Sequence, residues 1–109
     1  MNYYNLLYNK IKLKKACIGI VGLGYVGLPL AKEFLKANFK VIGFDIDKNK
    51  VNKLKKNETY IEYINFINIK KKFSNNFIAK SIFNEIVKTD VIILCLPTPL
   101  AKNKDPDLK

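Results

Sequence analysis

Two hydrophobic patterns alternate along the chain. Nearly continuous apolar runs at residues 16–22 and 90–97 are typical of strands covered on both faces, and residues 39–47 and 76–80 predict two further strands. Between these runs, apolar residues recur with the three- and four-residue spacing of helices. Such alternation predicts parallel strands joined by right-handed crossovers, with helices on both faces of the sheet.

The clearest helix pattern begins within a glycine-rich segment that follows the first strand. Its apolar face consists of Leu28, Ala31, Phe34 and Leu35, and Asn38 is placed to end it. Only the glycine segment therefore separates the first strand from the first crossover helix.

Three later helices are predicted with patterns of different clarity. Asp47 can cap a helix that turns Val51 and Leu54 inward. Residues 58–72 contain too many apolar residues for a clear face, and we expect one short helix there. Ser81 is placed to cap the last helix. The apolar pairs of that helix are Ile82 with Ile86 and Phe83 with Val87.

Residues 1–14 are predicted to form an amphipathic extension in front of a single domain at residues 15–109, because 109 residues accommodate one small domain. We expect a helix that docks on the domain or on a partner chain. A basic face bound to a membrane surface is the less favoured alternative, and no apolar run approaches the roughly 20 residues of a membrane span. The apolar positions near one face are Tyr4, Leu7, Tyr8 and Ile11.

The glycine-rich segment has the spacing Gly22-x-Gly24-x-x-Gly27. It follows a predicted strand and opens a predicted helix, which is the context of the dinucleotide-binding fingerprint. Gly22 permits a tight turn, Gly24 lets a pyrophosphate approach the backbone, and Gly27 lets the helix pack against the strand. The N–H groups at the helix start favour the bound anion. The alternative is a glycine-rich turn without a ligand, and Gly19 is assigned to close helix–sheet packing.

Polar residues follow the carboxyl ends of the predicted strands, and these ends would lie near the glycine turn. Asp45 follows Gly27 at close to the roughly 20 residues expected for the acid that binds the adenosine ribose, and its charge favours NAD over NADP. Asp47 is the alternative for that role. Lys50 can reach the ribose or a phosphate, or lie solvated at the surface. Thr98 can contact the cofactor, or serve only as a turn residue between two prolines.

Composition limits the other functions. The formal charge is +11, but all 20 basic residues are lysines that are spread along the chain without interleaved aromatic side chains. This pattern predicts a solvated surface and no specific nucleic-acid partner. Cys17 and Cys95 lie in apolar runs and the chain has no histidine, so we predict no metal site and no catalytic thiol. Reduced, buried cysteines indicate a cytoplasmic protein.

These features together predict an α/β fold: a Rossmann-type, doubly wound parallel sheet, incomplete at this length, with helices on both faces. The segments "IGIVGLGYVGLPLAKEF", "VIGFDID", "YIEYI" and "LCLPTPLAKNKDPDL" resemble the N-terminal NAD-binding domain of the UDP-glucose/GDP-mannose dehydrogenase family. Within that family, the chain is most similar to the UDP-N-acetylglucosamine 6-dehydrogenase branch. The resemblance covers about residues 14–109.

The resemblance implies roles at matching positions. Val26 would contact the cofactor through its backbone, and Asp45 would bind the ribose with Lys50 as the basic partner one turn later. Thr98 would be a cofactor contact at a strand end, and Glu62 would lie toward the substrate. The pyrophosphate loop would consist of Gly22, Leu23, Gly24, Tyr25, Val26 and Gly27.

The resemblance also implies an activity for the full-length family members. They are dimeric enzymes that oxidise the sixth carbon of a nucleotide sugar to the acid, with two NAD+ in succession and a thiohemiacetal on a cysteine, for polysaccharide or glycan synthesis. The catalytic cysteine, lysine and asparagine of the family lie downstream in a longer chain. We therefore expect no catalytic residue in this chain, and no turnover by it alone.

We expect this chain by itself to be marginally stable, with an exposed sheet edge and apolar face. The sequence also allows two alternatives to a part of an enzyme. One is a non-enzymatic NAD-sensing module, and the other is a non-functional gene remnant.

Overall fold

The computed structural model describes residues 2–61 and 64–96. Within these residues, helices and strands alternate in the order that the hydrophobic patterns predict. The elements are α1 (Tyr3–Lys12), β1 (Cys17–Val21), α2 (Gly27–Lys36), β2 (Lys40–Phe44), α3 (Lys48–Lys55), α4 (Phe66–Lys72), a 3₁₀ turn (Ser74–Asn76), β3 (Phe77–Lys80), a 3₁₀ helix (Phe83–Lys88) and β4 (Val91–Leu94).

The four strands form one parallel sheet in the order β3-β2-β1-β4. The chain winds outward from β1 through β2 to β3, and then returns to place β4 on the other side of β1. The direction of winding thus reverses beside β1, and ligands of doubly wound sheets bind at the carboxyl ends of the strands at this point. The predicted Rossmann-type parallel sheet is confirmed.

One face of the sheet, called the helical face, packs against α2, α3 and α4. Val51 and Leu54 of α3 are buried there as predicted, and the Asp47 carboxylate caps α3 by accepting a hydrogen bond from Asn49 N. Strand side chains on this face interlock with the three helices in one buried cluster. Its members include Ile18, Ile20, Leu28, Leu35, Val41, Phe66 and Phe77.

The opposite face, called the open face, carries Ile78, Ile42 and Ile92 in one row across the sheet and Phe44 and Leu94 in the next. The 3₁₀ helix covers the centre of this face through Phe83, which packs edge-on against Phe44. Ile78, Ile92 and Leu94 remain between 49% and 68% exposed. The exposed apolar face that the sequence predicts is therefore present.

The segment before β4 corrects one prediction. The structure has a 3₁₀ helix over Phe83–Lys88, Ser81 does not cap it, and both Ile82 and Val87 are largely exposed. This segment must return from β3 across β2 and β1 to reach β4 within a few residues. A 3₁₀ helix rises about 2.0 Å per residue against 1.5 Å for an α-helix, so it spans that distance with fewer residues.

Helix α1 forms as predicted, with the Asn2 side chain accepting hydrogen bonds from the first turn. It is joined to the domain by an ion pair between Lys10 Nζ and Asp90 Oδ1 at 2.9 Å. Its apolar side chains are not buried on the domain, and none of the described helices is long and apolar enough to cross a membrane. The exposed side chains of the predicted apolar face are Tyr4, Leu7, Tyr8 and Ile11.

Candidate functional site

The glycine turn begins at Gly22, directly after β1. Gly22 has a φ of 101°, which side chains rarely adopt, and its N–H donates to Phe44 O at 2.7 Å. A Cβ at this position would lie 2.5 Å from the Cys95 carbonyl oxygen, just beyond β4. Both backbone conformation and space therefore require glycine where the turn passes between β2 and β4.

The turn ends at Gly27, the first residue of α2. A Cβ on Gly27 would overlap the Gly22 carbonyl oxygen and approach the Cys95 side chain. Gly27 thus allows the start of α2 to lie against the end of β1, as the sequence predicts. Gly19 is different from its predicted role, because a Cβ there would meet Thr89, which follows the 3₁₀ helix, and not a residue of an α-helix.

Gly24, in the middle of the turn, is glycine for another reason. The nearest atom to a Cβ built at Gly24 is Lys50 Nζ at 3.9 Å, which is ordinary contact, and Gly24 has no positive φ. The described residues would accept a methyl group at this position. A bare backbone that faces open space beside a lysine fits the close approach of a pyrophosphate.

Asp45 lies directly after β2 and is 9% exposed. Its Oδ2 accepts a hydrogen bond from Leu23 N at 2.8 Å, and its Oδ1 accepts one from Asp47 N at 2.8 Å. The carboxylate thereby ties the glycine turn to the start of α3. Each oxygen keeps a second lone pair that can accept a ribose hydroxyl.

A cleft of about 290 Å³ opens beside the turn. Lys50 and Lys53 on α3 line one wall, and Tyr60 and Ile61 from the segment after α3 line another. The two lysines make this wall of the cleft positive, which suits a phosphate-bearing ligand. The remaining lining residues are Gly24, Tyr25, Asp47 and Asn49.

The Tyr60 hydroxyl donates a hydrogen bond to the Leu23 carbonyl oxygen at 2.6 Å. Burial raises the pKa of this hydroxyl, and the negative charges of Asp45 and Asp47 raise it further. Tyr60 is therefore a neutral donor at physiological pH. The glycine turn is therefore held by two hydrogen bonds at Leu23. The Asp45 carboxylate accepts one from Leu23 N, and the Tyr60 hydroxyl donates the other to Leu23 O.

The structure brings together most of the residues that the sequence singled out. Asp45 and Lys50 both lie at the glycine turn, while Asp47 lines the cleft and caps α3. Thr98 and Glu62 lie outside the described residues. The roles of all these positions toward a cofactor stay predictions.

The two cysteines show no sign of nucleophilic activation. Both are free and partly buried. Burial and the charge of Asp90 raise the pKa of Cys17, and burial raises the pKa of Cys95, so both groups favour the unreactive thiol form. In residues 2–61 and 64–96, no group of three or more histidine, cysteine or acidic side chains is placed to hold a metal ion.

Sequence reasoning did not single out Tyr60, Lys53 and Asn49 as site residues. Lys53 follows Lys50 by three residues, which places both on one side of α3, and this spacing was a usable signal. Tyr60 lies in an irregular segment, so no periodic pattern could place its hydroxyl at the turn.

Comparison with known proteins identifies the family. Residues 16–109 match the "UDP-glucose/GDP-mannose dehydrogenase family, NAD binding domain". The chain is 41% identical to "Protein CapL" of Staphylococcus aureus over 84% of its own length and 20% of the relative. It is 34% identical to the UDP-N-acetyl-D-glucosamine 6-dehydrogenase of Pseudomonas aeruginosa over 88% of its length and 22% of that enzyme.

A solved structure gives the same result. The GDP-mannose dehydrogenase of Pseudomonas aeruginosa, determined as a ternary complex, superposes with a TM-score of 0.76 at 28% identity, over 84% of this chain and 22% of that one. The chain spans about a fifth of the length of the curated relatives it matches. It belongs to the UDP-glucose/GDP-mannose dehydrogenase family of NAD-dependent oxidoreductases and comprises the NAD-binding domain of that family.

Proposed function

We propose that the chain supplies the NAD+-binding part of a nucleotide-sugar 6-dehydrogenase that acts on a UDP-N-acetylhexosamine, with UDP-N-acetylglucosamine as the first choice. Several relatives carry the names of UDP-N-acetyl-D-glucosamine and UDP-N-acetyl-D-mannosamine dehydrogenases, which supports this substrate class. The uronic acid product would enter polysaccharide synthesis in the cytoplasm. The free cysteines support a reducing compartment.

The observation that carries the proposal is the open backbone at Gly24. It lies at the reversal point of the sheet, beside Lys50 and the buried Asp45 carboxylate. In our proposal the turn binds the pyrophosphate, Asp45 accepts a hydrogen bond from the adenosine ribose, and Lys50 contacts a phosphate or the ribose. Thr98 is proposed as a further cofactor contact. Bound NAD+ would supply the hydride acceptor for the oxidation.

The oxidation itself is proposed to need polypeptide beyond these 109 residues, because both cysteines are held as thiols and the chain has no histidine to act as a base. The open face supports contact with such a segment. Ile78, Ile92 and Leu94 expose apolar surface that further structure would bury. We propose that this contact completes the enzyme and that the complete enzyme is a dimer.

Isothermal titration calorimetry of the folded chain with NAD+ tests the coenzyme assignment. We expect saturable 1:1 binding of NAD+, and weaker binding of NADP+, because a 2′-phosphate would approach the Asp45 carboxylate. Absence of NAD+ binding by chain that circular dichroism shows to be folded would overturn the proposal.

A complementation assay tests the enzyme assignment. The chain is mixed with the remaining part of a relative such as the Pseudomonas aeruginosa enzyme, and NADH absorbance is followed with UDP-N-acetylglucosamine. We expect NADH only when both parts are present. Binding of NAD+ without NADH formation from any UDP- or GDP-sugar would leave an NAD-sensing module as the better assignment.

A further inference from the structure

We propose that Tyr60 is a positioning residue of the coenzyme site: its hydroxyl fixes the orientation of the Leu23–Gly24 peptide, and thereby aims the Gly24 N–H at the bound anion. This inference rests on the proposed function of the turn as a pyrophosphate site. It starts from the 2.6 Å hydrogen bond between the Tyr60 hydroxyl and Leu23 O.

The geometry of the peptide bond gives this contact its consequence. The peptide is planar and trans, so the Leu23 carbonyl and the Gly24 N–H point in opposite directions. With the carbonyl held toward Tyr60, the N–H must point away from Tyr60. In the described part of the chain, this N–H has no hydrogen-bond acceptor. It is thus a free donor on open backbone, with Lys50 Nζ nearby.

The preceding peptide is fixed in the same way from the other side. Leu23 N donates to Asp45 Oδ2 at 2.8 Å, so the Gly22 carbonyl points away from Asp45 and lies against Gly27. Asp45 and Tyr60 together hold two successive peptides of the turn. Because glycine tolerates several backbone conformations, the Leu23–Gly24 peptide would otherwise be free to rotate, and each alternative orientation would turn the N–H away from the anion.

Tyr60 is suited to orienting the peptide because its hydroxyl is neutral and acts only through its hydrogen bond. Its partly buried hydroxyl stays protonated near the carboxylates of Asp45 and Asp47, and its side chain lines the cleft. A phenylalanine at this position keeps the ring and removes only the hydrogen bond. The substitution Tyr60→Phe therefore separates positioning of the peptide from packing of the cleft wall.

The experiment titrates the unaltered chain, Tyr60→Phe and Tyr8→Phe with NAD+, ADP and adenosine by NMR on 15N-labelled protein. Tyr8 is the matched control, since it lies exposed on α1. We expect Tyr60→Phe to weaken NAD+ and ADP about fivefold, the equivalent of one ordinary hydrogen bond, and to leave adenosine binding unchanged. The Gly24 amide resonance should shift in free Tyr60→Phe and stay in place in Tyr8→Phe.

The outcomes separate this inference from the function beneath it. If the unaltered chain binds NAD+ but Tyr60→Phe binds all three ligands normally, the positioning role is wrong and the coenzyme site stands. If Tyr60→Phe weakens all three ligands equally, Tyr60 only shapes the cleft, and the inference is again overturned. If the unaltered chain binds neither NAD+ nor ADP, both the proposed function and this inference fall.

Discussion

A methyl group added at either end of the glycine turn collides with backbone atoms, whereas one added in the middle makes only an ordinary contact among the described residues. Gly22 lies between β2 and β4, and Gly27 lies against the Gly22 carbonyl. For a Cβ built at Gly24, the nearest atom among the described residues beyond its chain neighbours is Lys50 Nζ at 3.9 Å. The fold therefore requires glycine at both ends of the turn, whereas at Gly24 the glycine is explained by the pyrophosphate that we propose to bind there.

Within the glycine motif, some positions are therefore evidence for the fold and one is evidence for ligand binding. Gly22 indicates only that the turn passes close to the end of β4, and Gly27 indicates only that α2 starts close to β1. A protein without a ligand could need both. Gly24 is the position that indicates binding, because nothing within the described chain explains the missing side chain. Substitutions at the two kinds of position should separate stability from coenzyme affinity.

The largest effect is expected for Gly27→Ala. The added Cβ overlaps the Gly22 carbonyl oxygen, so α2 must move away from β1. We expect a loss of about 3 kcal/mol in the free energy of unfolding, at the upper end of ordinary overpacking, and loss of NAD+ binding with it. Thermal or urea unfolding followed by circular dichroism measures the effect. A Gly27→Ala variant as stable as the unaltered chain would show that the helix start is not confined as described.

A smaller loss of stability is expected for Asp45→Ala. Asp45 contacts the turn at Leu23, which lies between Gly22 and Gly24. The substitution leaves Leu23 N and Asp47 N without their acceptor, and we expect a loss of about 2 kcal/mol in the free energy of unfolding. NAD+ binding should fall as well, and calorimetry well below the unfolding transition measures it.

Asp47→Ala is the matched control for Asp45→Ala. Asp47→Ala removes the cap of α3, and we expect it to lower the free energy of unfolding by about 1 kcal/mol. The hydrogen bond between Asp45 and Leu23 N remains. If Asp47→Ala weakened NAD+ binding more than Asp45→Ala, Asp47 would be the ribose acid. That result would reverse the assignment made for these two residues.

Gly24→Ala should lower NAD+ affinity without lowering stability. The methyl group fits the protein, so the unfolding temperature should stay unchanged. It would fill the space in which we propose that the pyrophosphate binds, and we expect NAD+ affinity to fall about tenfold, since one misplaced methyl group costs about 1–3 kcal/mol. Calorimetry and a thermal melt on the same sample give both values. Normal NAD+ affinity in Gly24→Ala would remove the main argument for the site.

Most of the fold could be predicted because its signals are local. The apolar runs gave the strands, Asp47 gave the cap of α3, and Asn38, at a φ of 70°, ends α2 where the pattern stops. The 3₁₀ helix before β4 was missed because its form depends on the distance between β3 and β4 across the sheet, which no residue pattern encodes.

In the candidate site, too, only the residues placed by local sequence spacing could be predicted. Gly24 and Asp45 follow from spacing along the chain, since a strand–turn–helix unit brings them together wherever it forms. Tyr60 could not be placed in this way, because it reaches Leu23 from an irregular segment after α3. Its position is a product of packing on the helical face, and only the structure shows it.

The smallest effect is a pH dependence that isolates this Tyr60 contact. Burial, with the charges of Asp45 and Asp47, raises the pKa of Tyr60 above its value in the unfolded chain. The folded state therefore favours the protonated phenol. Its contribution to stability is complete below the unfolded pKa of about 10, and is lost as the pH rises from there toward the folded pKa.

Tyr60→Phe removes this titration and leaves the other tyrosines and lysines in place. The stability difference between the unaltered chain and Tyr60→Phe should be constant near neutral pH, at about 1 kcal/mol, and should shrink above about pH 10. Urea unfolding across this range measures it, with the exposed Tyr8→Phe as the control. A difference that stayed constant through the alkaline range would mean that the folded state does not hold the hydroxyl as a protonated donor to Leu23 O, and the Leu23–Gly24 peptide would then lack the contact proposed to orient it.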